Sequence, residues 1–276
     1  MKPFLSFVIP TLNEERYLPH LLDSLVKQKQ KDFEVVIVDG NSTDKTKEIA
    51  ESYNKSLNIK FIQVEKGALS PQKNIGGEAA SGEYLVFLDA DMLVFPLFTK
   101  IAKKQITNKK GLLFLPYVIP LEKKDYPEVS MVFPMVNQLI ALSQNFNKPF
   151  GSGPAMVFEK MFFKRIGGFD DIFGEDHQII RKAYLYGVRA KFIPSLKVKF
   201  SLRRMKKDGR IKLFRHFIMA HAYLLFHDKL NKGFTYEMGG HLYQKPGGVK
   251  VTEALLNPNL MIKKIRSFFR TLTLED

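Results

Sequence analysis

The stretch Tyr84-Leu85-Val86-Phe87-Leu88-Asp89-Ala90-Asp91 decides the fold of this 276-residue chain. Its apolar run reads as a strand buried on both faces, and it ends in two carboxylates two positions apart. Side chains at i and i+2 of an extended segment share a side, so Asp89 and Asp91 converge where the strand meets solvent. Two such carboxylates repel each other unless a cation stands between them. A hard divalent ion such as Mg²⁺ takes oxygen ligands and keeps positions for substrate phosphates, which points to an enzyme handling a diphosphate. A solvated turn is the other reading of the same triplet.

Upstream of the triplet, strand and helix patterns alternate. Phe4 to Ile9 is a short apolar strand. Thr11 and Glu14 have capping-box spacing, and Leu18, Leu21, Leu22 and Leu25 then repeat at helical intervals. Phe33 to Val38 is a second strand, after which Asp39-Gly40-Asn41-Ser42-Thr43-Asp44 supplies a turn and a helix start. Ile59 to Val64 is a third strand. Ser70-Pro71 has the cap and first-turn pattern of a helix running to Ala80, closed by Ser81-Gly82. Strands separated by helices in this way form a parallel sheet covered on both faces.

Open parallel sheets bind ligands beyond the carboxyl ends of their strands. The turns after the first, second and fourth strands are Pro10 to Glu15, Asp39 to Ser42 and Asp89 to Asp91, so all three meet on one edge. They concentrate acidic and amide side chains in a chain with 43 Lys+Arg against 28 Asp+Glu, a formal charge of +15. That excess implies an anionic partner: nucleotide, nucleic acid or acidic lipid. With no cysteine, thiolate metal sites and disulfides are excluded.

Beyond residue 95 the alternation loosens. Leu112 to Ile119, Ala155 to Phe158, Arg189 to Ile193 and Leu196 to Phe200 read as strands, and Met131 to Leu142 as a buried helix or packed loop. Gly151-Ser152-Gly153-Pro154 is a turn or a loop of close approach. Gly174-Glu175-Asp176 opens a helix carrying Ile179, Ile180, Ala183 and Tyr184, ended by Gly187. Ile211 to Leu230 and Leu260 to Leu272 are basic amphipathic helix candidates. The uncharged stretch Val129 to Asn147 is too polar for a membrane span, and Met1-Lys2-Pro3-Phe4 leads straight into a strand without a secretory pattern. The expected location is cytoplasmic.

These residues together resemble the family 2 glycosyltransferases, enzymes of the GT-A fold. The resemblance rests on Phe7 to Glu15, Val35 to Thr46, Lys73-Asn74-x-Gly76 leading into Asp89-Ala90-Asp91, and Gly167-Gly168-Phe169-Asp170 with Glu175-Asp176. It implies an α/β chain of GT-A type: a mostly parallel central sheet flanked by helices, with a Rossmann-like nucleotide-binding half and an acceptor-binding half. The expected boundaries are a transferase domain over 1–205, divided at residue 95, and a helical C-terminal extension over 206–276.

The resemblance also implies an inverting, metal-dependent, non-processive transfer from a nucleotide-sugar donor to a glycan or lipid-linked acceptor. Pro10, Thr11 and Glu14 should border the ribose, and Asp39 should accept a hydrogen bond from the base. Lys73 should reach the nucleotide or its phosphates. Asp91, helped by Asp89 across Ala90, should hold Mn²⁺ or Mg²⁺, and Asp176 should be the general base. Residue types alone also allow Glu175 and Asp176 to be ordinary first-turn acids of a helix, and Lys73 to be a solvated lysine.

Further contacts to diphosphate or acceptor are expected from Arg203, Arg204, Gly153 and Glu175, with a solvated basic face as the other reading for the two arginines. His216 is a candidate extra metal ligand; a structural or exposed histidine is the alternative there and at His221. The segment Met261 to Arg270 mixes apolar and cationic residues as a helix on an anionic membrane surface would, and as a core helix with a basic face would. The absence of tryptophan disfavours a processive polymer synthase. A nucleic-acid-binding protein and a sugar nucleotidyltransferase are the competing readings. The first lacks a recognisable motif and would turn acidic loops toward phosphates, and the second lacks its Gly-rich N-terminal loop.

Overall fold

A computed structural model of the chain describes residues 2–203 except Lys66, Lys123, Tyr126, Ser152 and Phe173. The expected helices at 211–230 and 260–272, with Arg204, His216 and His221, lie outside the described residues. The elements are β1 (Leu5–Thr11), α1 (Leu18–Val26), β2 (Phe33–Asp39), α2 (Thr46–Ser52), β3 (Ile59–Gln63), α3 (Leu69–Ala79), β4 (Tyr84–Leu88) and β5 (Leu93–Val94). They continue with α4 (Phe98–Lys109), β6 (Leu113–Pro120), α5 (Pro127–Ser130), α6 (Phe133–Ser143), β7 (Ala155–Glu159), α7 (Lys160–Arg165), α8 (Glu175–Leu185) and β8 (Lys191–Phe200).

The strands form one eight-stranded sheet in the order β3-β2-β1-β4-β7-β6-β8-β5. The first four run parallel, as the alternating pattern requires. β7 then enters antiparallel to both β4 and β6, β8 pairs parallel with β6, and β5 pairs antiparallel with β8. The sheet is therefore mixed, with its parallel pairs in the majority. Successive residues of β1 and β2 serve opposite faces. Phe7, Ile9, Val35 and Ile37 join the core beneath α1 and α4, while Val8, Val36 and Val38 join that beneath α3, α7 and α8. Both faces are covered, which is why these strands are buried throughout and mostly apolar.

Three local expectations are corrected. Thr11 and Glu14 do not cap a helix: Thr11 ends β1, and α1 begins at Leu18 with Pro19 in its first turn. α3 starts at Leu69 behind Ala68, so Ser70 is already helical and Pro71 occupies the first turn, where a missing N–H costs little. The two strands expected at 189–193 and 196–200 are one strand, β8, whose register on β6 shifts between Pro116 and Tyr117.

α4 and α7 were not anticipated. α4 buries Phe98, Ala102 and Ile106, four residues apart each time, but its Thr and Asn residues dilute the helical signal. α6 falls inside the stretch expected to be buried, yet only Asn137, Ile140 and Ser143 of it are buried. No helix among the described residues is long and apolar enough to cross a membrane.

Candidate active site

The parallel register brings the ends of β1 and β2 level, with Thr11 opposite Asp39. Thr11 Oγ1 donates to Asp39 Oδ1 at 2.9 Å, and the Ser42 hydroxyl donates to the same oxygen at 2.6 Å. Ser42 N–H donates to Asp39 Oδ2 at 2.8 Å. Asp39 therefore organises its own turn while lying 1% exposed at the sheet edge. Gln72 of α3 bridges the two strand ends, its Nε2 donating to Thr11 O at 2.8 Å and Val38 O at 2.6 Å. Sequence reasoning missed Gln72 because a helical glutamine carries no local signal of what it spans.

Glu14 and Asp91 share one cation. Arg203, just past β8, donates from Nη1 to Glu14 Oε2 at 2.7 Å and from Nη2 to Glu14 Oε1 at 2.8 Å. Its Nε lies 2.7 Å from Asp91 Oδ2, close enough to pair in charge but not aligned as a hydrogen bond. The guanidinium also stacks over Tyr17, with Cζ 4.3 Å from the ring centroid. Burial opposes the charge of Arg203, but Glu14 and Asp91 outweigh it and raise the pKa above the ordinary arginine value. The solvated-face reading of Arg203 is thus excluded: its side chain is 7% exposed. Glu14, expected to border a ribose, is engaged by Arg203.

A second cation gathers the remaining acids. Lys73 Nζ sits 3.0 Å from Glu175 Oε1 and 4.9 Å from the Phe169 ring centroid. Burial works against its charge, yet Glu175, Asp89 and Asp176 together raise its pKa. The solvated-lysine reading is excluded here as well. Asp89 from the end of β4 and Glu175-Asp176 from the start of α8 therefore act on one buried ammonium. Gly153 lies against the same group: a Cβ there would stand 2.3 Å from Asp176 Oδ2.

The neighbour of Lys73 explains why the glycine-rich motif belongs with it. Asn74 Nδ2 donates to Phe169 O and Asn74 Oδ1 accepts from Phe169 N–H, both at 2.8 Å. Gly76 then lets α3 lie directly on the sheet, since a Cβ there would meet Val8 Cγ1 at 2.4 Å. Residues 73–76 thus aim one side chain into the site, clasp the loop that precedes α8, and seat the helix. His177, beside Asp176, is buried, and burial together with the nearby Arg181 pushes its pKa down to about 4.

The donor set suits a hard cation only in part. Among the described residues, no three His, Asp or Glu side chains converge to hold an ion by themselves. Asp89 and Asp91 could supply one or two carboxylates, which is the usual protein share for Mg²⁺ that completes its shell with substrate phosphates and water. The chemistry of the pair therefore fits an ion that arrives with a diphosphate.

The description "Glycosyl transferase family 2" matches residues 6–167, more than half of the 276. The chain belongs to that family. Among curated relatives, TarS of Staphylococcus aureus, a poly(ribitol-phosphate) β-N-acetylglucosaminyltransferase, is 43% identical over 90 residues, 31% of this chain and 16% of that protein. The uncharacterized glycosyltransferase EpsJ of Bacillus subtilis is 37% identical over 111 residues, 40% of this chain and 32% of that protein. The matches thus take in well under two thirds of those relatives' own length.

In structure, the family 2 member is similar to S. aureus TarS, with a TM-score of 0.58 and 23% identity over 84% of this chain and 41% of that one. It is also similar to the mannosyltransferase PcManGT from Pyrobaculum calidifontis, solved with GDP-Man and Mn²⁺. There the TM-score is 0.63 and the identity 21%, over 84% of this chain and 66% of that one. These likenesses establish the glycosyltransferase fold expected from the sequence.

Proposed function

We propose that this chain is an inverting glycosyltransferase that moves a sugar from a nucleotide diphosphate donor to a hydroxyl or lipid-phosphate acceptor, one residue at a time. The observation that carries this reading is the buried ammonium of Lys73, placed in the field of Asp89, Glu175 and Asp176. It draws the triplet after β4 and the acids of α8 into one site, although they are far apart in sequence. Family membership supports the reading. So do two solved relatives, one bound to UDP-GlcNAc and the other to GDP-Man with Mn²⁺.

On this reading Thr11 and Asp39 receive the nucleoside, and residues 1–95 form the donor half of a domain extending to 205. Asp91 and Asp89 would hold a divalent cation, which when bound supplies electrostatic stabilisation to the departing diphosphate. Asp176 accepts the proton of the acceptor hydroxyl as that oxygen attacks the anomeric carbon. The bond from that carbon to the phosphate oxygen breaks, and the nucleoside diphosphate leaves with its electron pair. Lys73 keeps an ionised carboxylate favourable beside it, and Gly153 leaves room for Asp176 to meet the acceptor. The work is done at the cytoplasmic side of the membrane.

A thermal-shift screen of UDP-, GDP- and dTDP-sugars with and without Mn²⁺ identifies the donor, because a ligand bound to the native state raises apparent stability. With that donor, Asp176→Asn should abolish transfer while leaving donor binding intact, and Asp91→Ala should weaken metal-dependent donor binding. Near-normal turnover by Asp176→Asn would overturn the assignment of the base.

A further inference from the structure

One face of α6, continued by the turns at either end of it, is apolar and open. Met131, Met135, Leu139, Leu142 and Phe146 recur three to four residues apart and are 79%, 51%, 49%, 56% and 45% exposed. They form a single stripe, while Asn137, Ile140 and Ser143 occupy the buried side. Isolated exposed apolar residues are ordinary, but a continuous stripe of large ones marks a surface that meets another apolar phase.

Three features select the phase. First, residues 130–147 contain no charged side chain, and the charges that follow at this end are cationic: exposed Lys148 and Arg189, whose Nη1 donates to Phe146 O at 3.0 Å. Acids precede the stripe at Asp125 and Glu128, but its C-terminal end, where Phe146 lies, is edged by cations, and in a chain of net charge +15 that end complements an anionic lipid surface. Second, α6 is held rigidly, since Asn137 donates to Val118 O and Phe133 O and accepts from Val118 N–H. Third, the end of α6 is tied to the catalytic region. Ser143 Oγ and Gln144 Nε2 both donate to Phe150 O, immediately before the loop whose Gly153 abuts Asp176.

We propose that the Met131–Phe146 stripe of α6 rests on the surface of an anionic bilayer and so presents a lipid-linked acceptor to the Gly153–Asp176 end of the site. The docking itself depends only on the stripe; the role given to the acceptor rests on the glycosyl-transfer reading. The test uses the full chain in flotation with neutral vesicles and with vesicles containing an anionic lipid, at about 0.1 M salt where charges still act over about 10 Å. The parent should float with anionic vesicles and much less with neutral ones. Met135→Glu/Leu139→Glu/Leu142→Glu should bind at least about tenfold less with an unchanged melting temperature, since all three side chains are exposed.

Failure of the parent to float, or equal flotation of the triple variant, would overturn the proposal. The second result would assign any membrane binding to another segment, such as residues 211–230 or 261–270. A concentration-dependent dimer in light scattering that the triple variant abolishes would overturn it too, by making a second copy the occupant. Donor hydrolysis measured without vesicles is read separately. Its loss in the parent would remove the transfer reading and leave the docking result standing.

Discussion

Lys73 Nζ lies 3.0 Å from Glu175 Oε1, with the lysine side chain 3% and the glutamate side chain 13% exposed. The two residues are 102 positions apart in sequence. A buried pair of this kind is expensive to break from one side, because the partner remains buried and uncompensated.

Lys73→Met should therefore destabilise the fold by about 3 kcal/mol in urea denaturation. Glu175, Asp89 and Asp176 are left facing one another without their cation. Lys73→Arg should recover most of that loss. A Lys73→Met variant as stable as the parent would show that the pair contributes nothing.

Gly153→Ala introduces one methyl 2.3 Å from Asp176 Oδ2, a distance no relaxed contact allows. The carboxylate has to turn away. Misplacement of a reacting group by about 1 Å costs on the order of 100-fold in rate. On the proposed reading, steady-state kinetics should show kcat falling by about that factor, with the donor affinity proposed for Thr11 and Asp39 nearly unchanged. An equal loss of donor affinity would place Gly153 in the donor pocket instead.

Arg203→Lys keeps the charge but removes the fork that grips both oxygens of Glu14 while reaching Asp91. An ammonium cannot reproduce that geometry. We expect a loss of about 2–4 kcal/mol in stability and, on the proposed metal-dependent reading, an altered response of activity to added Mn²⁺, measured by metal titration. Retention of both would reduce Arg203 to a bystander.

His177 gives the protein a pH dependence that can be read directly. Its pKa falls from 6.5 in the free residue to about 4 in the fold, so below pH 6.5 the unfolded chain binds the proton that the native one refuses. Stability from this group is complete above 6.5 and declines as the pH drops toward 4. The full loss is on the order of 3 kcal/mol. His177→Asn should flatten that part of the stability profile, and an unchanged slope would assign it elsewhere.

The strands that position the site were readable because both of their faces are buried, so their sequences are uninterrupted apolar runs: Val35 to Val38 and Tyr84 to Leu88 needed no tertiary information. The spacing of Thr11 and Glu14 misled for the opposite reason. Locally it is a cap, but Thr11 is occupied by Asp39 across the sheet and Glu14 by Arg203 at a separation of 189 residues. No local pattern encodes a partner that distant. The same holds for Asp91, whose triplet was visible while its ion pair was not. On α6, the apolar pattern left a buried helix and a packed loop both open and could not say which of its apolar faces the sheet would cover.

The ion pairs that join the two halves also constrain the order in which the molecule can become functional. Glu14 waits for Arg203, and Lys73 waits for Glu175, so the carboxylate-rich edge of the first four strands stays electrostatically unbalanced until most of the described chain has emerged. Contacts of such high sequence separation incur their loop-closure entropy before they return any stability, which makes their formation slow. That edge should thus be the last part of the fold to lock, and a nascent chain released before Arg203 should expose it unfinished, with Glu14 lacking its cation.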